Sequence, residues 1–141
     1  RKLSLDIPNE PVDIDPGALA VARENATLLD AEVTFIAADI REGCRDVSGG
    51  AVDTVVMNPP FGAQKAHADR PFIDCALVIA PVVYSIFNAG STQFVQAYTA
   101  QRAEITGKVG GTFPIRRTFA FHTKDVQEIE VEILRLQRTN L

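Results

Sequence analysis

With 141 residues, 46% of them hydrophobic and 23% charged, the chain has enough apolar material for one globular core and is too apolar to stay disordered. Its net charge of −4 excludes broad attraction to polyanions, so a nucleic-acid partner has to be held by a local basic surface. No apolar run approaches the roughly 20 residues that span a bilayer, and RKLSLDIPNEP carries Asp6 and Pro8 where a signal peptide needs an apolar stretch, so a soluble, cytoplasmic protein is expected.

Strand and helix patterns alternate along the chain without internal repeats. Val12-Asp13-Ile14 reads as a strand end. Asp15 follows as N-cap and Pro16 as first helical residue, opening a helix with Leu19, Ala22, Ala26 and Leu29 on one stripe. Glu32 to Ala37 (EVTFIA) is the next strand. A loop rich in Gly and Ser then leads to Val52–Met57, whose β-branched run reads as a central parallel strand. A helix from about Phe72 to Ala80 precedes a short strand, Pro81 to Phe87. Ser91 is placed to cap a helix reaching about Ala103, and weaker strand signals run from Ile105 to Phe113. Ile129, Val131 and Ile133 alternate with Glu128, Glu130 and Glu132, the pattern of a strand with one wet face. The sum is an open α/β sheet, mostly parallel, with an antiparallel C-terminal strand. Cys44 and Cys75, 31 positions apart with no CxxC pair, are expected as reduced thiols, and no spacing of His, Cys, Asp or Glu suggests a metal site.

Sheets of this kind bind ligands at the carboxyl ends of their strands. Asp13, Asp39 and Asn58 all fall at such ends. An acidic residue there can accept both hydroxyl hydrogens of a nucleoside ribose. A carboxylate and backbone amide on the next loop, here Asp39 and Ile40, can meet an adenine edge. Helix capping fully explains Asp15, while Asp13 and Asp39 taken singly are equally well read as solvated loop carboxylates. Their joint spacing ahead of Asn58 favours a nucleoside cofactor.

The segment VVMNPPFG breaks the strand pattern abruptly, since proline cannot donate to a ladder and forces the residue before it into an extended pose. Asn58-Pro59-Pro60-Phe61 after a strand, with VDIDPGALAVARENA upstream, resembles the class I S-adenosyl-L-methionine-dependent methyltransferases that modify exocyclic amines. Together with VVYSIF, FAFHTKD and EIEVEILRL it is similar, over roughly Pro11 to Arg138, to the methyltransferase-like family that forms N6-methyladenosine in small-subunit ribosomal RNA. The resemblance implies a Rossmann-like sheet in a single domain over residues 1–141. It also implies S-adenosylmethionine as cofactor, held by Asp13, Asp39, Ile40 and Asn58, and an RNA adenine N6 amine as acceptor. Close variants of the NPPF motif serve guanine N2, DNA adenine and protein glutamine, so those amines stand as alternatives. A non-catalytic, partner-bound RNA-binding module of the same fold is another. The family's first strand and glycine-rich cofactor loop have no counterpart in RKLSLDIPNEP, and the domain is therefore expected to be incomplete at its N-terminus.

Chemistry accounts for the tetrad. The lone pair of an aromatic amine is delocalised into its ring. Two acceptors, the Asn58 side-chain oxygen and the Pro59 carbonyl, can take both amine hydrogens, favour a tetrahedral nitrogen and aim its lone pair. Pro60 stiffens the segment, and Phe61 offers a face on which a flipped-out base can stack. Lys65, in the polar loop that follows, is a candidate phosphate contact. Arg116, Arg117, His122 and Lys124, interleaved with Phe119 and Phe121, form the best basic and aromatic patch for RNA. Val33, Phe35 and Ile36 are apolar for a strand at a sheet edge. The family's habit of pairing that edge with a small zinc-binding activator protein implies a β-augmented heterodimer at Glu32 to Ala37.

Overall fold

The structure, a computed structural model, describes residues 9–44, 52–60, 67–116 and 126–139. They belong to two compact units, Arg1–Gly50 and Ala51–Leu141.

In the first unit, β1 (Val12–Asp13), α1 (Pro16–Leu28) and β2 (Ile36–Ala37) form a strand, helix, strand unit with the two strands parallel. Asp15 starts the helix as its sequence requires: its backbone is extended and its carboxylate accepts the Gly17 N–H at 2.8 Å, with Pro16 next in line. Leu19 is buried and Ala22 and Ala26 are half-buried, but Leu29, expected on the same stripe, is 79% exposed because the helix ends at Leu28. The strand expected from Glu32 is shorter. Thr34 and Ile36 donate to the carbonyls of Asn9 and Pro11, both at 3.0 Å, yet Pro11 has no N–H with which to return a bond, so the ladder closes only at Ile36–Ala37.

The second unit contains β3 (Thr54–Met57), α2 (Arg70–Ile79), β4 (Val82–Asn88), α3 (Thr92–Thr99), β5 (Ala103–Arg116) and β6 (Val126–Arg138), with sheet order β3-β4-β6-β5. β3 and β4 are parallel, and β6 is antiparallel to both of its neighbours, so β6 alone runs against the rest. Ile73 and Leu77 of α2, Val95 of α3, Val83 and Phe87 of β4 and Leu134 and Leu136 of β6 make the core, against which Val55 and Met57 of β3 pack. Burying such side chains stabilises the unit by about 1.5–3 kcal/mol each.

Several expectations are corrected here. β3 is not central among the described residues: it pairs with β4 alone, and Val56 on its other face is 80% exposed. Ser91 does not cap α3, because its backbone is already helical and its hydroxyl donates to the Asn88 carbonyl at 2.7 Å; the helix ends at Thr99. The wet face of β6 changes sides along the strand. Glu128 and Glu130 are exposed, but Glu132 is buried on the face that carries Leu134 and Leu136, while Ile133 opposite is 39% exposed. Burial pushes the Glu132 carboxyl up, and bonds from Lys108 (3.0 Å), Thr92 (2.8 Å) and the Gly90 amide outweigh it, so it lies below the usual glutamate range. Neither cysteine is a free thiol, contrary to expectation, since separation in sequence does not decide bonding state. Among the described residues no helix is long and apolar enough to cross a membrane.

Candidate functional site

In the first unit, parallel pairing brings two of the candidate carboxylates to one edge. Asp13 closes β1 opposite Ala37, and its carbonyl accepts the Ala38 N–H at 3.1 Å, so Asp39 follows on the same carboxyl-end rim. Asp13 is exposed; its Oδ1 accepts the Asp15 N–H at 2.8 Å, and its other oxygen accepts no hydrogen bond among the described residues.

Asp39 is held more firmly. Its Oδ1 accepts the Arg41 amide and Nε, each at 2.9 Å, and its Oδ2 accepts Arg41 Nε at 3.0 Å and Nη2. The Arg41 side chain, then the Arg41 backbone amide, lowers the Asp39 carboxyl from 3.8 to about 2 against a smaller opposing effect of burial. A carboxylate offers about four lone-pair positions, so three Arg41 donors leave room for one more. Asp39 is thus an ionised acceptor of fixed orientation. Ile40, half-buried, follows Asp39 in a turn.

In the second unit, β3 carries the amide. Met57 packs on the core and pairs with Ser85 of β4, which fixes where the strand stops. Asn58 comes next, exposed and with no side-chain hydrogen bond among the described residues. Pro59 is buried and Pro60 exposed, so the chain leaving the strand is anchored on one ring. An anchored strand end with a free amide oxygen can accept a ligand N–H without first breaking a bond.

The remaining candidates are only partly covered. Phe61 and Lys65 lie outside the described residues, as do Arg117, Phe119, Phe121, His122 and Lys124. The Arg116 backbone pairs with Val126 at the end of the β5–β6 ribbon. Sequence reasoning missed Arg41, although an acid and a guanidinium two residues apart just after a strand is a readable sign of a local clamp. It also missed a basic and aromatic cluster on α2 and α3. There the Arg70 guanidinium lies 5.5 Å from the Phe94 ring centre and 5.0 Å from that of Tyr98, and Arg102 covers Tyr98 at 5.0 Å while bonding Asp74 at 2.6 Å.

The chain as a whole is similar to known proteins. The methyltransferase small domain family covers residues 3–81. The chain belongs to that family. It is 40% identical over 135 residues to the uncharacterized protein MJ0284 of Methanocaldococcus jannaschii, covering 90% of this chain and 62% of that protein. It is 26% identical over 131 residues to the rRNA N(6)-adenosine-methyltransferase Mettl5 of Drosophila melanogaster, covering 89% and 61%. The chain thus spans about three fifths of the length of these curated relatives. Among solved structures, protein PH1948 of Pyrococcus horikoshii is similar with a TM-score of 0.80 and 32% identity, covering 94% of this chain and 64% of that one. The fold is the α/β, Rossmann-like fold of class I methyltransferases.

Proposed function

We propose that this methyltransferase domain is the core of an RNA methyltransferase that transfers a methyl group from S-adenosylmethionine to the N6 amine of adenine, in small-subunit ribosomal RNA. The observation that carries the reading is Asn58, exposed and without a side-chain hydrogen bond among the described residues, at the carboxyl end of a core-anchored strand and followed by the buried Pro59. The name of the Drosophila relative supports the choice of amine.

The residues of the first unit fit the cofactor. Asp13 keeps an oxygen open for ribose hydroxyls, and Asp39, ionised and clamped, keeps one acceptor position for an adenine amine, with the Ile40 amide beside it. The cofactor supplies an electrophilic methyl group on a sulfonium. Asn58 Oδ1 and the Pro59 carbonyl take the two hydrogens of the acceptor amine, which frees the nitrogen lone pair from the ring and aims it, while Pro60 keeps that carbonyl direction fixed. Phe61 stacks on the extruded base, and water takes the proton the amine releases. Lys65 and the patch of Arg116, Arg117, Phe121, His122 and Lys124 hold the RNA backbone and bases. The outer edge of β2, unpaired among the described residues, takes a strand of a small zinc-binding activator in the cytoplasm.

The test is incubation of the full-length protein, alone and with such an activator, with small-subunit rRNA fragments and isotope-labelled S-adenosylmethionine. Nucleoside mass spectrometry then reads the product. N6-methyladenosine is expected; label in N2-methylguanosine, or none in RNA, would overturn the reading.

A further inference from the structure

Two adjacent glycines in the middle of β5, Gly110 and Gly111, are required by no turn or close approach among the described residues. Glycine in a strand interior weakens it and marks a bulge, a bend or a close approach. Gly90 has such a reason, its backbone being at φ +89°, and so has Gly107, where a Cβ would come within 3.3 Å of the Arg135 Cβ. Gly110 and Gly111 pair in regular register with Glu132 and Val131, neither has a left-handed backbone, and a Cβ on either would meet no described atom within 4 Å.

They line an open cavity of about 290 Å³ with Ala89, Thr112, Glu130, Val131 and Glu132. Val131 pairs with Asn88, the last residue of β4, so the cavity lies where β5 and β6 leave the sheet. Ser85 of β4 pairs with Met57. At ordinary strand spacings the cavity is therefore about 10 Å beyond the end of β3 and about 10–15 Å to its side, at the carboxyl-end rim that carries Asn58.

The lining selects the occupant. Glu132 is engaged by Lys108 and Thr92, whereas the exposed Glu130 carboxylate has no bond among the described residues. An acceptor-only group repels phosphate and asks for N–H donors. Successive strand residues face opposite sides, so Gly110 leaves bare backbone on the face it shares with Glu130 and Glu132, where a flat ring can lie against the ribbon beside Ala89. We propose that this cavity is a base pocket that takes one nucleobase of the RNA strand near the target adenine, its exocyclic amine on Glu130. The proposal rests on the RNA-methylating reading above. Uridine, with an O4 acceptor in place of the amine of adenine or cytosine, is rejected there.

The test uses the full-length protein and a panel of adenine-containing RNAs in which each neighbour of the target is changed in turn to uridine. One position should lower kcat/KM about tenfold, and Glu130→Gln should erase that preference. Gly110→Val, on the Glu130 face, should raise KM for RNA about tenfold, and Gly111→Val, on the opposite face, should leave it near parental; in both, cofactor affinity holds and Tm stays level or rises, valine being favoured in strands and meeting no described neighbour. If the parent methylates RNA but a folded Gly110→Val variant keeps its KM, or no position shows the uridine penalty, the pocket assignment is wrong and the RNA reading stands. If the parent methylates no RNA, both fall. Loss of binding to a basic protein partner, with KM for RNA unchanged, would give the pocket to a lysine or arginine side chain and overturn the base assignment.

Discussion

Asp39 stands at its strand end already bonded, its carboxylate held by three donors of Arg41, whereas Asn58 leaves β3 exposed and with no side-chain partner among the described residues. The carboxylate is oriented by its own neighbour two positions on. The amide is oriented by backbone: a core-packed Met57 before it and a buried Pro59 after it. The difference separates two tasks. A group that only binds can be fixed in advance by local bonds, because its charge persists whatever the ligand does. A group that has to strengthen its hold as an amine becomes tetrahedral needs a free acceptor on a stiff support, since only contacts that improve in the transition state raise kcat.

The comparison breaks most visibly at Asn58. Asn58→Ala in the full-length enzyme should lower single-turnover methylation about a hundredfold or more, as removal of one transition-state hydrogen bond does elsewhere. Cofactor affinity and melting should stay near parental. Phe61→Ala should act on capture, at a stacking cost of about 1–3 kcal/mol in RNA binding and with a smaller change in the bound rate. Exchanging Arg116, Arg117 and Lys124 for Gln should make the dependence of log K on log salt shallower by about 2, at about 0.7 for each phosphate contact to single-stranded RNA. An unchanged slope would remove that patch from the interface.

Arg41→Ala gives the smallest and most local effect. The Asp39 carboxyl, lowered to about 2 from 3.8, contributes stability that is complete above 3.8 and fades as pH falls toward about 2. Without the Arg41 side chain that acid-side contribution shrinks, and the carboxyl should titrate closer to its ordinary value, held below it by the remaining backbone amide. Carboxyl NMR should show a nearly flat Asp39 signal down to about pH 3 in the parent and a midpoint moved upward, though still below 3.8, in the variant, which keeps the amide of residue 41. Equal titration curves would mean that the guanidinium does not hold the carboxylate in solution.

Where the chemistry is local, the sequence is readable. Asp15 and Pro16 announce a helix start because capping needs only a side chain and an amide two residues on, and Asn58-Pro59 announces a strand end because proline has no donor. Where neighbours distant in sequence decide, it is not. The alternation in β6 shows that two faces exist but not which one α3 covers, so Glu132 reads as wet although Thr92 and Lys108 bury and bind it. β2 reads longer than it is because the limiting residue, Pro11, lies on the other strand. Gly110 and Gly111 read as ordinary strand glycines until the empty space around them is seen.

The most direct test of the division between a binding rim and a catalytic rim is one paired measurement on full-length Asp39→Ala and Asn58→Ala proteins: calorimetric titration with S-adenosylmethionine beside single-turnover methylation of an adenine-containing RNA at saturating cofactor. Asp39→Ala should weaken cofactor binding about tenfold or more, as loss of a charge-assisted hydrogen bond does, while keeping most of the saturated rate. Asn58→Ala should bind cofactor like the parent and turn over about a hundredfold more slowly. Near-parental turnover by a folded, cofactor-bound Asn58→Ala enzyme would contradict the account.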